Sequence, residues 1–180
     1  MIKSLIIVFG EMGCGKTYIG QIFSRHYNAG FYEGDDALND WNRRMGFYSK
    51  ESVEKFVRDQ LIPAIELQLQ SYERLVVSQA LYFEDHRQLI AHHFNKHGLI
   101  VQFIQIKTPV DQQKKQLLAR GYYWLISAFL YRRYFESSHK AYIFNNTEDH
   151  TQLKEEIAKL CHHVKQTYQL FESSKSFRYS

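Results

Sequence analysis

The chain has 180 residues, of which 44% are hydrophobic and 23% charged, and it carries a net charge of +4. This composition is typical of one globular domain, and no apolar run reaches the roughly 18 residues that a membrane-spanning helix needs. Two cysteines cannot form a disulfide framework, and the basic residues are too dispersed for a nucleic-acid surface. We therefore expect a cytoplasmic protein with neither a membrane nor a nucleic-acid partner.

The first predicted elements surround a glycine-rich loop. Residues 5–9 are apolar and rich in β-branched side chains, which predicts a buried parallel strand, and helical spacing of apolar residues predicts a helix over 16–27. The loop between them fits the phosphate-loop pattern G-x-x-x-x-G-K-[ST] at every fixed position. In such a loop the backbone N–H groups and the helix N-terminus bind phosphate oxygens.

This loop predicts a nucleotide site with ATP and Mg²⁺ as cofactors. Its lysine reaches the β- and γ-phosphates, and the hydroxyl that follows can ligate Mg²⁺, so Lys16 is a catalytic candidate and Thr17 a metal ligand. The predicted nucleotide-binding residues are Gly10, Glu11, Met12, Gly13, Cys14, Gly15, Lys16 and Thr17.

Two adjacent carboxylates follow the second predicted strand, which is centred on Phe31 and Tyr32. Asp35 and Asp36 come at its carboxyl end, where open α/β sheets bind ligands. In extended backbone the two side chains would point to opposite sides. Asp35 is the candidate base for an acceptor hydroxyl, and a pair of ordinary turn residues is the alternative interpretation.

The next residues are predicted to leave the sheet. Residues 37–46 resemble a short helical excursion, and an apolar stripe predicts a longer helix over about 51–72. Ser49 or Ser52 could cap this helix, and Pro63 is expected to bend it or split it in two.

An acceptor-binding segment is expected at about 36–60. Arg43 and Arg44 lie in it, and a planar guanidinium is suited to an acceptor carboxylate or phosphate. The alternative is that both arginines belong to a solvated surface helix.

The rest of the chain alternates strands with helices. Strands are predicted at 75–80, 99–106 and 141–144, and helices at 84–97, 109–119 and 151–168, before a frayed tail at 173–180. Without repeats or a linker, this alternation predicts one doubly wound α/β domain over residues 1–180.

An aromatic segment, GYYWLISAFLYRRYFE at 121–136, follows the helix that ends near residue 119. We interpret about 120–139 as a lid that covers the nucleotide, excludes water and delivers Arg132 or Arg133 to the transferring phosphoryl group. A dimer face is the second interpretation, and two cations are too few for a typical membrane-surface helix. Arg120 could stack on adenine or clamp phosphate oxygens, or be an ordinary surface arginine at a helix end.

Taken together, these motifs resemble those of the gluconate kinases, with the shikimate kinases as cousins, in the nucleoside-monophosphate-kinase-like P-loop group. The resemblance is carried by the loop at 10–17, EGDDAL at 33–38, NRRMG at 42–46, VVSQAL at 76–81 and LLARG at 117–121. It implies a three-layer, five-stranded parallel sheet in the order 2-3-1-4-5. It also implies that Asp35 faces the acceptor and Arg120 meets the nucleotide, and we place Asp36 and Gln79 beside the acceptor as well.

The chain departs from the gluconate kinase pattern at the acceptor side. Asn39-Asp40 stands where that family has histidine-proline, Arg44 replaces a lysine, and residues 47–52 replace a proline- and aspartate-rich stretch. The predicted function is therefore transfer of the γ-phosphate of ATP to a small acceptor, expected to be anionic, such as a sugar acid. A nucleoside or nucleotide kinase and a nucleotide-binding regulator without transfer activity are the alternatives, and either a monomer or a homodimer is expected.

Overall fold

The computed structural model describes residues 3–38, 49–147 and 149–176. Five parallel strands form one sheet in the order β2-β3-β1-β4-β5, which confirms the predicted doubly wound α/β fold. The strands are β1 Ser4–Phe9, β2 Gly30–Glu33, β3 Arg74–Ser78, β4 Ile100–Lys107 and β5 Tyr142–Asn145. The helices are α1 Lys16–Tyr27, α2 Lys50–Phe56, α3 Ile62–Ser71, α4 Glu84–Lys96, α5 Val110–Arg120, α6 Tyr122–Arg132 and α7 His150–Ser176.

The central strand, β1, is buried along its whole length. Because side chains alternate across a strand, Leu5, Ile7 and Phe9 pack into one core cluster with residues of α2, α3 and α4. Ile6 and Val8 pack into a second cluster, with residues of α1 and α7. The sheet is thus the middle of three layers, and the carboxyl ends of its strands share one edge.

The predicted helix over 51–72 is a continuous helical path with a wide turn inside it. Ser49 caps it through a capping box with Ser52, as the sequence allowed. Between α2 and α3 lies a π-helical turn, Val57–Leu61, in which the Ile62 amide donates to the carbonyl oxygen of Val57. Pro63 then falls in the first turn of α3, where its missing N–H is tolerated. The path is therefore widened before the proline and not split by it.

The expectation that Asp35 and Asp36 lie in extended backbone is wrong. Both lie in a single 3₁₀ turn, Gly34–Ala37, directly after β2, and both are exposed. Gly34 starts this turn against Gln79, where a Cβ at Gly34 would lie 3.0 Å from the Gln79 Cβ. The close approach of the backbone to Gln79 thus favours glycine at the start of the turn.

The predicted fraying of the chain after residue 173 is wrong for its first four residues. The last helix, α7, continues to Ser176, so the backbone over 173–176 is helical.

Arg43 and Arg44, in the predicted excursion at 37–46, lie outside the described residues. In the part of the chain that the structure describes, no helix is long and apolar enough to cross a membrane.

Candidate nucleotide and metal site

The glycine-rich loop joins β1 to α1 and has the backbone conformation of an anion-binding loop. Gly13 and Gly15 have φ values of +77° and +83°, in the left-handed region that glycine adopts without a steric penalty. Gly15 is the N-cap of α1, and no side-chain hydrogen bond caps this helix. The first turn also contains no acidic residue, so the positive end of the helix dipole faces the loop uncompensated.

Three side chains from distant parts of the chain hold the loop from outside. Asn146 Nδ2 and Thr108 Oγ1 both donate to the carbonyl oxygen of Cys14, at 3.0 and 2.7 Å. Gln113 Nε2 donates to the carbonyl oxygen of Met12 at 2.7 Å. With these carbonyls bonded on the protein side, the loop can turn its N–H groups toward an anion.

Close packing explains two of the small residues in the loop. A Cβ at Gly15 would lie 2.6 Å from Asn146 Nδ2, and one at Gly10 would lie 2.7 Å from the Cys14 Sγ. Burial raises the pKa of the Cys14 thiol, so Cys14 is a small apolar side chain in the loop.

A hydroxyl–carboxylate cluster lies at the adjacent carboxyl ends of β2 and β3. Glu33 ends β2 and is paired in register with Ser78, the last residue of β3. Thr17 Oγ1 donates to Glu33 Oε1 at 3.0 Å and lies 3.2 Å from Ser78 Oγ. Oxygen ligands of this kind suit Mg²⁺, which typically keeps several waters and one or two carboxylates.

Glu33 and Ser78 were not among the residues predicted for this site. Asp35 and Asp36 were predicted instead, because two adjacent acids follow a predicted strand. The signal that could have found Glu33 is its position as the last strand residue, since the carboxyl ends of parallel strands meet at one edge.

The acceptor-side candidates lie next to this cluster. Gln79 follows Ser78 and is buried, its backbone N–H donates to the carbonyl oxygen of Val8, and its Oε1 accepts from the Ala80 amide. Gln79 also packs against Gly34, which begins the turn that carries Asp35 and Asp36. Among the described residues, no group of three or more His, Cys, Asp or Glu side chains could hold a metal ion.

The two arginines of the predicted lid are the last residue of α6 and the residue after it, and they make different contacts. Arg132 Nε is 3.5 Å from Glu11 Oε2 in the glycine-rich loop. Arg133 packs over the ring of Tyr134 and donates to its hydroxyl at 2.6 Å. Arg120 is the exposed last residue of α5. Among the described residues, Arg132 alone of these three arginines contacts the loop.

Tyr82 joins the loop to the chain that follows α6. Its hydroxyl accepts from the Met12 N–H at 3.1 Å, and its carbonyl oxygen accepts from the Glu136 N–H at 2.8 Å. Its ring packs against Tyr131 and Phe135, at 6.3 and 5.6 Å between centroids. Burial raises the pKa of Tyr82 to about 12, so the phenol keeps its proton.

A buried arginine stabilises the contact between Tyr82 and the residues that follow α6. Arg87 is fully buried over the ring of Phe9, 4.5 Å from its centroid. Its guanidinium donates to the carbonyl oxygens of Leu81 and Glu136 and to the Glu84 carboxylate. The cation is therefore fully paired, and it fixes Glu136, four residues after the end of α6, against the start of α4.

Comparison with known proteins shows similarity in structure only. No protein-family model matches the chain, and no curated protein does. A gluconokinase from Sinorhizobium meliloti matches with a TM-score of 0.68 and 16% identity, over 92% of this chain and 98% of its own. The APS kinase of Mycobacterium tuberculosis, in a complex with AMPPNP and APS, has the same score and identity over 91% of this chain and 98% of its own. A shikimate kinase from Bacteroides thetaiotaomicron matches with a TM-score of 0.56 and 17% identity, over 90% of this chain and 98% of its own.

These neighbours are all P-loop small-molecule kinases, as the sequence motifs implied. Each is covered almost end to end, so the similarity extends over most of this chain. The chain has the fold of the P-loop small-molecule kinases.

Proposed function

We propose that this protein is an ATP- and Mg²⁺-dependent kinase that transfers the γ-phosphate of ATP to a hydroxyl of a small acceptor. One observation carries the proposal: the phosphate loop and the cluster of Thr17, Glu33 and Ser78 adjoin at the strand ends of a small-molecule kinase fold. The loop is suited to the phosphates, and the cluster is suited to a hydrated divalent cation.

Each residue of the loop has a chemical role in this proposal. The N–H groups at the start of α1 bind phosphate oxygens, and Lys16, the first residue of α1, offsets charge on the γ-phosphate. Thr17 would hold Mg²⁺ through its hydroxyl, and Glu33 and Ser78, which contact that hydroxyl, would support the hydrated ion. When bound, the ion neutralises charge on the β- and γ-phosphate oxygens.

The acceptor lies, in this proposal, over the 3₁₀ turn after β2. Asp35 accepts the proton of the acceptor hydroxyl while the hydroxyl oxygen bonds to the γ-phosphorus. The bond between the γ-phosphorus and the β-phosphate oxygen breaks, and ADP is the leaving group. Asp36 and Gln79 position the acceptor. Arg43 and Arg44 bind an acceptor carboxylate or phosphate, which makes a sugar acid the proposed acceptor.

The lid role falls mainly on Arg132. Its contact with Glu11 supports this choice, because it keeps the guanidinium at the edge of the loop that binds the γ-phosphate. Arg133 is the second candidate, and Arg120 is proposed to stack on the adenine ring.

The test is ADP release in a coupled assay, with and without a panel of sugar acids, shikimate, APS and nucleosides. We expect one acceptor class to stimulate ADP release, and Lys16→Ala to abolish the stimulation while leaving the melting temperature within a few degrees of wild type. Preference for nucleosides would make the protein a nucleoside kinase. Tight ATP binding that no acceptor stimulates would instead favour a regulator, and stimulated turnover that survives in Lys16→Ala would refute the proposed mechanism.

A further inference from the structure

The helix α6 has one side that contacts the rest of the protein. Tyr131 packs against Tyr82, and Arg132 pairs with Glu11. Ala128 and Leu125, one and two turns earlier on the same side, are the partly buried apolar residues of this helix. We call these four residues the inner face of α6.

The opposite side is apolar and exposed. With about 100° between successive residues of a helix, the centre of this second set lies roughly half a turn away from the inner face. The set, which we call the outer face of α6, consists of Tyr122 (71% exposed), Tyr123 (74%), Ile126 (50%), Phe129 (81%) and Leu130 (53%). A lid that closes over the phosphate loop would bury more of the inner face, so lid closure does not account for the outer face.

The exposed area of the outer face is that of a protein interface. From the exposed fractions and ordinary side-chain areas it amounts to roughly 700 Å². The largest apolar patch of a typical monomer measures about 300–600 Å². A standard stable interface buries about 800 Å² on each partner. One copy of the outer face thus supplies most of one side of such an interface.

Charge favours a second copy of this chain over a lipid surface. The helix contains no acidic residue, and Arg133, just after its end, is already stacked on Tyr134. An interfacial membrane helix relies on several lysines and arginines around its apolar face, whereas α6 contains one cation, Arg132, which is paired with Glu11. When two outer faces meet, no like charges are brought together, because none of the five residues in the face is charged.

We propose that the protein forms a homodimer through the outer faces of two antiparallel α6 helices. A two-fold axis near Ile126 would place Phe129 of one chain beside Tyr122 of the other, and it would oppose the two helix dipoles. This proposal concerns assembly, and it holds whether or not the protein transfers phosphate.

Sedimentation velocity at 1–100 μM tests the proposal. We expect wild type to sediment with the mass of two chains, and Phe129→Glu to raise the dissociation constant of the dimer at least about 30-fold, as loss of an interface hot spot does. Leu67→Glu is the matched control, because Leu67 is 60% exposed on α3 and should leave the dimer intact. Far-UV circular dichroism and melting temperature confirm that each variant is folded.

A cross-linking experiment tests the geometry separately. In a Cys161→Ser background, Ile126→Cys should form a disulfide-linked dimer on mild oxidation, and Leu67→Cys should not. A wild-type protein that is monomeric at 100 μM would overturn the proposal, as would a Phe129→Glu variant that remains dimeric. Monomers that co-float with phosphatidylserine vesicles would assign the outer face to a membrane instead.

Discussion

The cluster at the strand ends makes a quantitative prediction about Glu33. Thr17 Oγ1 lies 3.0 Å from Glu33 Oε1. An Mg²⁺ ion bound to this hydroxyl at about 2.1 Å could therefore be no farther than about 5 Å from the carboxylate. At that distance the attraction between the two charges is about 1.7 kcal/mol even in water, and it is larger where water is excluded.

We therefore expect Glu33→Gln to weaken Mg²⁺-dependent nucleotide binding roughly 15-fold or more. The assay is a titration of fluorescent mant-ATP binding at fixed Mg²⁺ concentrations. Without Mg²⁺ the sign should reverse, because the variant removes a negative charge beside the phosphates and so binds mant-ATP at least as tightly as wild type. The matched control is Glu155→Gln, an exposed carboxylate on α7. An unchanged Mg²⁺ dependence in Glu33→Gln would refute the metal assignment.

Three further predictions concern the loop, the lid and acid stability. Gly15→Ala should reduce mant-ATP affinity at least about tenfold, because the new Cβ would meet Asn146. Gly98 has a similar φ of +80° but open space around it, so Gly98→Ala should lower the stability of the protein and leave the affinity unchanged. With an acceptor identified, Arg132→Ala should lower kcat at least about tenfold with little change in the KM for ATP, and more than Arg133→Ala does; equal losses would contradict the inner-face assignment. Burial lowers the pKa of His86, so below about pH 6.5 the unfolded state binds more protons than the folded state, and the free energy of unfolding should fall. Between pH 7.5 and 5.5 the melting temperature of His86→Phe should therefore drop less than that of wild type. An equal drop in the two proteins would contradict this assignment.

The phosphate loop could be predicted because its information is local. A strand, a patterned loop and a helix follow one another within residues 4–27, and each carries its own signal. The strand order followed from the resemblance to a known family. The predicted bounds of the elements were less accurate, because hydrophobic periodicity does not mark the residue at which a helix such as α7 ends.

The remaining site residues depend on contacts between distant segments. Glu33 meets Thr17 only because β2 pairs with β3 in a register that no local pattern specifies. The difference between Arg132 and Arg133 follows from helical phase, but only the packing of Tyr131 on Tyr82 shows which side is inner. Asp35 and Asp36 were expected in extended backbone after the strand, because no local sequence pattern predicts the close approach of Gly34 to Gln79 that accompanies the 3₁₀ turn.

The anchoring of the Cys14 carbonyl has a consequence for the order of events during synthesis. Its two donors, Thr108 and Asn146, lie 94 and 132 residues farther along the chain. A nascent chain whose residue 146 has not yet emerged from the ribosome contains the complete glycine-rich motif but lacks one of the two donors that hold the loop in its final conformation. Nucleotide should therefore stabilise only chains whose fifth strand has docked, by the free energy of binding to that state. ATP binding would then favour fully folded molecules over intermediates in which only the N-terminal part of the chain is folded.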